Sequence, residues 1–174
     1  MVELNGTELT IEQVMAVARH KEQVRISEPA KQKIDRARAY VDEKLAQKAV
    51  IYGLTTGFGK FSDTFVPEQE TAALQRNLII SHACGMGAPL PREVVRGAML
   101  LRCNALARGN SGIRLSTLET LLAMLNRGVH PVVPEKGSLG ASGDLAPLSH
   151  IVLVMLGEGE AEYQNAVLPG KRAM

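Results

Sequence analysis

The strongest constraint lies between Gly137 and Leu156, where the glycine-dense stretch GSLGASGD runs directly into LAPLSHIVLVML. The IVLVML run is apolar on every side. A helix without a polar face has no side to give to water, so Leu145–Leu156 is expected at the centre of the fold. Asp144 stands where an N-cap belongs, and Pro147 falls in the first turn, where its missing N–H costs nothing.

The remaining pattern is helical as well. Thr10 precedes Ile11, Val14, Met15 and Ala18 and reads as the N-cap of a short amphipathic helix. Ser27-Glu28-Pro29 opens a second, with Ile34, Ala37, Val41 and Leu45 on one face and an end near Lys48. Three more are expected at about Pro67–His82, Pro91–Arg108 and Ile113–Asn126, the two prolines suiting first turns. Gly128 is placed to close the last of them in a left-handed conformation. Between these segments AVIY, at Ala49–Tyr52, is β-prone, and LTTGFGKFSD reads as a loop. VHPVVPEKGSLGASG has no helical period, and EAEY and AVL form a small β-hairpin around Gln164-Asn165. The fold class is therefore mainly α with a hairpin near the C-terminus. The tail stops without a capping element, so the chain reads as cut short.

With 174 residues against the usual roughly 100–200 per domain, residues 1–174 are expected to form a single domain. The net charge of +2 arises from interleaved acids and bases, with no basic run or aromatic platform, which argues against a nucleic-acid partner. Cys84 and Cys103 lack metal-ligand spacing and disulfide density and are expected to be buried reduced thiols. The histidines lack metal-ligand spacing too, so no metal is expected. Neither TTGFGK nor LARGNSG has the strand, glycine spacing and helix order of a nucleotide motif. No basic start precedes an apolar run at the N-terminus and no stretch approaches ~20 apolar residues, so a cytoplasmic protein without a membrane partner is expected.

The chemistry concentrates at Ala141-Ser142-Gly143. In a tightly bent loop the amide nitrogen of Gly143 can approach the carbonyl carbon of Ala141, because glycine has no Cβ to block the compression. Ring closure with loss of one water, then loss of the Ser142 hydroxyl as a second, gives an exocyclic methylidene conjugated to a ring carbonyl. That product is an electrophile, a class of group that ordinary side chains do not supply. Asp144 is placed to assist the proton transfers. An isolated Ala-Ser-Gly would read as a flexible loop ending in an N-cap; the surrounding string decides otherwise.

GSLGASGDLAPLSH resembles the signature of the aromatic amino acid lyases, which include the histidine, phenylalanine and tyrosine ammonia-lyases and related aminomutases. Tyr52-Gly53-Leu54-Thr55-Thr56-Gly57-Phe58-Gly59 is similar to that family's tyrosine loop, and QRNLIISHACGMG and NALARGNSGIR match in family order. The resemblance implies the helical N-terminal domain of the lyase fold shared with fumarase and aspartase, and a methylidene-imidazolone made from Ala141-Ser142-Gly143. It also implies that Tyr52 is the base that removes the substrate's β-proton. A phenol of ordinary pKa near ~10 needs its site to help it act so. On position alone Tyr52 reads equally as a strand residue packing a core edge. His82, in Ser-His-Ala, occupies the position where histidine lyases carry the same residue, whereas tyrosine lyases place theirs at the position of Ser81. That register implies L-histidine as substrate, with trans-urocanate and ammonia as products. On position alone His82 reads as a histidine at a helix end. The family is a homo-oligomer, a tetramer, and its later site residues would lie beyond Met174, so the isolated chain is expected to be inactive. A phenylalanine or tyrosine lyase or aminomutase, and a non-catalytic helical interaction fragment, are the alternatives.

Overall fold

The computed structural model describes residues 1–57, 59, 62 and 68–174, the side chains of 68 and 69 aside. Phe58 of the tyrosine-loop motif, Lys60 and the expected helix start at Pro67 lie outside the described residues.

The chain opens with β1 (Val2–Leu4), α1 (Ile11–His20), β2 (Val24–Ile26) and α2 (Glu28–Ala46). Thr10 caps α1 reciprocally: its hydroxyl accepts from Gln13 N, and its own N–H donates to Gln13 Oε1 at 3.0 Å. Both partners thereby satisfy amides that the first helical turn leaves without acceptors. Ser27 accepts from Ala30 N at 3.3 Å in the same manner at the start of α2. Across α1, β1 and β2 pair in parallel with Val2 opposite Val24 and Leu4 opposite Ile26, and all four of these side chains are buried.

Next come α3 (Glu68–His82), β3 (Met86–Pro89), α4 (Arg92–Ala107) and α5 (Leu115–Arg127), the last closed by Gly128 in the left-handed conformation. Pro91 occupies the N-cap of α4, one residue before the expected first turn. Beyond these, β4 (His130–Pro131), β5 (Pro134–Lys136) and α6 (Leu145–Met155) precede the hairpin of β6 (Glu160–Tyr163) and β7 (Ala166–Pro169). Gln164 and Asn165 both have positive φ, 50° and 65°, the backbone that a two-residue hairpin turn demands. β4 extends this hairpin into a three-stranded antiparallel sheet, and β3 pairs separately with β5. A one-turn helix, α7 (Gly170–Ala173), follows the hairpin, where the sequence suggested an uncapped tail.

The core gathers on α4. Val95, Met99, Leu100, Cys103, Leu106 and Ala107 are buried along its length, against Val17 of α1, Ile34 of α2 and Leu118, Leu121 and Leu125 of α5. Arg96 is buried among them and is held by helix-end carbonyls. The expectation that Leu145–Leu156 is central needs correction. α6 buries Ala146, Ile151 and Val154 on one face and leaves Leu145 and Leu156 at its ends about half exposed. An apolar run states what a helix tolerates, and here one face of α6 is fully buried while the rest, Leu145 apart, is only partly covered.

Two further expectations fail. Ala49–Tyr52 forms no strand, because the hydroxyl of Thr55 takes up the backbone there, donating to Ala49 O at 2.7 Å and accepting from Ile51 N at 2.8 Å. Cys103 is fully buried as expected, its thiol pushed up to about 12 by desolvation, but Cys84 is exposed. It lies just past the end of α3, where the helical stripe no longer points at the core.

Candidate active site

Tyr52 sits in a turn built by two threonines. Thr55 bridges Ala49 and Ile51, and Thr56 accepts from Gly53 N at 3.2 Å and donates to Gly57 O at 3.0 Å. Both threonines are buried, whereas the Tyr52 ring is largely exposed and its hydroxyl oxygen accepts from Gly59 N at 3.4 Å. The Thr-Thr pair is thus a fixed base from which the phenol projects. Its sequence signal, two adjacent threonines between Leu54 and Gly57, is easily passed over as generic loop composition.

His82 is the last residue of α3 and is half-buried. Its Nδ1 lies 2.7 Å from Leu78 O, a carbonyl that can only accept, so Nδ1 carries the proton in this arrangement. Ser81 Oγ, itself donating to Leu78 O at 2.8 Å, stands 3.1 Å from the same nitrogen. The ring is anchored through Nδ1; in its neutral form Nε2 is then the acceptor nitrogen.

Three residues on, Gly85 N donates to Nε2 of His150 at 3.0 Å, tying the exit of α3 to α6. Burial holds His150 below the usual histidine range, which keeps the accepting nitrogen bare. The approach is close on several sides: a Cβ on Gly137 would stand 3.1 Å from Gly85 Cα and 3.2 Å from Ala146 Cβ. The His82–Gly85 segment, the Gly137 bend and the start of α6 are therefore packed together. Tyr52 lies in the threonine-braced turn described above.

The loop from Ser138 to Asp144 stands at the head of α6. Ala141 and Ser142 are exposed and Gly143 half-exposed. Gly143 has φ +72°, in the left-handed region, and a Cβ there would lie 2.9 Å from Ser138 Oγ. The left-handed backbone thus favours glycine at the position whose nitrogen must be free to approach Ala141, and the three residues fit ring closure in that respect. Asp144 occupies the N-cap position, but its side chain makes no capping hydrogen bond, so the expected cap is backbone only. That leaves its carboxylate exposed beside the triad. The particular contact made by His150, to Gly85 N, was not legible from sequence, because it is tertiary.

A family model described as aromatic amino acid lyase matches residues 9–174. The chain belongs to the aromatic amino acid lyase family. A histidine ammonia-lyase of Alkaliphilus oremlandii is 59% identical over 171 residues, 98% of this chain and 34% of that protein. Among solved structures, ergothionase from Treponema denticola, an ergothioneine-degrading enzyme, superposes with a TM-score of 0.94 at 35% identity, over 99% of this chain and 35% of that one. A histidine ammonia-lyase from Trypanosoma cruzi gives 0.88 at 38% identity, over 98% and 33%. The mainly helical fold is thus the lyase-family fold, and the chain spans about a third of the length of the curated relatives it matches. No described helix is long and apolar enough to cross a membrane.

Proposed function

We propose that this chain is the electrophile-forming and base-bearing part of an ammonia-lyase that converts L-histidine to trans-urocanate and ammonia. The observation that carries the reading is the 59% identity to a histidine ammonia-lyase across nearly the whole chain. Under it, Ala141-Ser142-Gly143 cyclises with loss of two waters, and Asp144 assists the proton transfers from its exposed position beside the triad. The methylidene-imidazolone so formed supplies an electron sink that ordinary side chains lack.

The chain's own groups take the remaining tasks. Tyr52, projecting from its threonine-braced turn, accepts the β-proton, and the Gly59 N–H orients the phenolic oxygen. His82 offers Nε2 as an acceptor for an imidazole N–H, since Nδ1 is occupied by Leu78 O. A phenyl ring has no proton to give that nitrogen, which favours an imidazole substrate over an aromatic hydrocarbon one. We read residues 1–174 as one folding unit, inactive by itself, that works in the cytoplasm within a homotetramer without metal or nucleotide.

Intact mass and peptide mapping test the first step. A deficit of two waters, roughly 36 Da, confined to the peptide with Ala141–Gly143 and absent from Ser142→Ala, is expected. The lyase of which the chain is part should then release urocanate from L-histidine and no cinnamate or coumarate from L-phenylalanine or L-tyrosine. An unmodified mass in an active lyase would sink the electrophile; preference for phenylalanine or tyrosine would sink the substrate.

A further inference from the structure

A cavity of about 360 Å3 opens where the C-terminal ends of α1 and α5 meet the start of α4 and the β6–β7 turn, and no candidate active-site residue lines it. Its walls carry Lys21, Arg92, Arg96 and Arg127 against a single carboxylate, Glu162. Glu162 is engaged by Arg92 in a two-point ion pair. Among the described residues no carboxylate pairs with Lys21, Arg96 or Arg127.

Arg96 is the unusual member. It is 2% exposed, and a buried guanidinium ordinarily has an acid beside it, because an unpaired buried charge is costly. Here it has only neutral acceptors. Nε and Nη2 donate to Val17 O at 3.1 and 2.7 Å, and Nη1 donates to Leu125 O at 2.9 Å and to Nε2 of His130 at 3.2 Å. Four of its five N–H groups are thereby used, and one on Nη2 is left. His130 is itself buried, and its pKa is depressed to about 4 by burial first and then by Arg96, Arg92 and Lys21, so three of the cavity's cations act on this one ring.

Four cations less one carboxylate leave an excess of three. The C-terminal ends of α1 and α5 offset about one unit of that, at roughly half a charge each. About two positive charges remain uncompensated. We propose that this cavity binds an oxyanion carrying two or more negative charges, a phosphate group or a small polycarboxylate. The exposed Lys21 and Arg127 would contact it at the rim and Arg96 would compensate it from within. The proposal stands independently of the lyase reading.

The test is a titration with inorganic phosphate at constant ionic strength made up with chloride, followed through the His130 ring signals by NMR. A saturable shift of His130, with His82 unmoved, is expected. The double variant Lys21→Gln/Arg127→Gln, altered only at exposed positions, should weaken the response about tenfold while leaving the thermal midpoint without phosphate unchanged. Tighter saturation by a phosphomonoester would identify a phosphate group as the ligand chemistry, and tighter saturation by citrate a polycarboxylate. A shift that follows ionic strength without saturating for any of these anions, or that persists undiminished in the double variant, overturns the proposal.

Discussion

At the scale of single residues, two side-chain environments make measurable claims. Gly143 combines a left-handed backbone with Ser138 Oγ at 2.9 Å from where a Cβ would stand. Gly143→Ala is expected to cost about 1–2 kcal/mol in backbone conformation. It should also relax the loop enough that mass spectrometry no longer finds the loss of two waters, while far-ultraviolet circular dichroism is unchanged. His130 makes a different claim, about protons. Its folded pKa of about 4 lies below the ordinary 6.5, so the unfolded chain binds more protons between those values. Stability from this group is complete above pH 6.5 and is lost as the pH falls through 4, a change on the order of 3 kcal/mol. His150, also depressed by burial, contributes with the same sign. Urea unfolding of His130→Gln should show a shallower decline in stability between pH 6.5 and 4 than the parent chain; an equal slope would remove His130 from the account.

At the scale of elements, the centre of the fold is α4 and not the more apolar α6. Met99 is fully buried on α4 and Leu156 is 47% exposed at the end of α6. Met99→Ala should therefore cost about 2–5 kcal/mol and Leu156→Ala under about 1 kcal/mol in denaturant unfolding. Near-equal losses would mean that α6 is buried in solution. The contrast also shows what the sequence could and could not reveal. Thr10, Ser27 and Gly128 announced their helix ends because capping is decided within four residues, and Gln164-Asn165 announced the hairpin for the same reason. β1 and β2 were missed: three-residue strands on either side of a helix are too short to display alternation. The Ala-Ser-Gly triad, Tyr52 and His82 stand out in the sequence as family motifs, and the roles proposed for them rest on those motifs. The contact that ties this region together was not legible there, since His150 reaches Gly85 across 65 residues.

At the scale of the whole molecule, the chain carries more apolar surface than its own elements cover. Leu145 and Leu156, at the two ends of α6, stand about half exposed, while the residues between them are buried or partly buried. Large apolar side chains left half exposed at both ends of one helix favour association. Sedimentation velocity should show a mass that rises with concentration, and Leu145→Gln/Leu156→Gln should hold the chain closer to its monomer mass. Concentration-independent monomers in the parent chain would indicate that this face is closed in solution.

The Gly85–His150 hydrogen bond adds a chemical condition to this geometry. An imidazole nitrogen that takes up a proton changes from acceptor to donor, and two donors facing each other at 3.0 Å repel. The joint between the end of α3, which carries His82, and α6, which follows the triad, therefore keeps this hydrogen bond only while one specific nitrogen stays bare. Acid reaching His150 would break this tie and leave the close approach of Gly85, Gly137 and Ala146 to hold the two helices together.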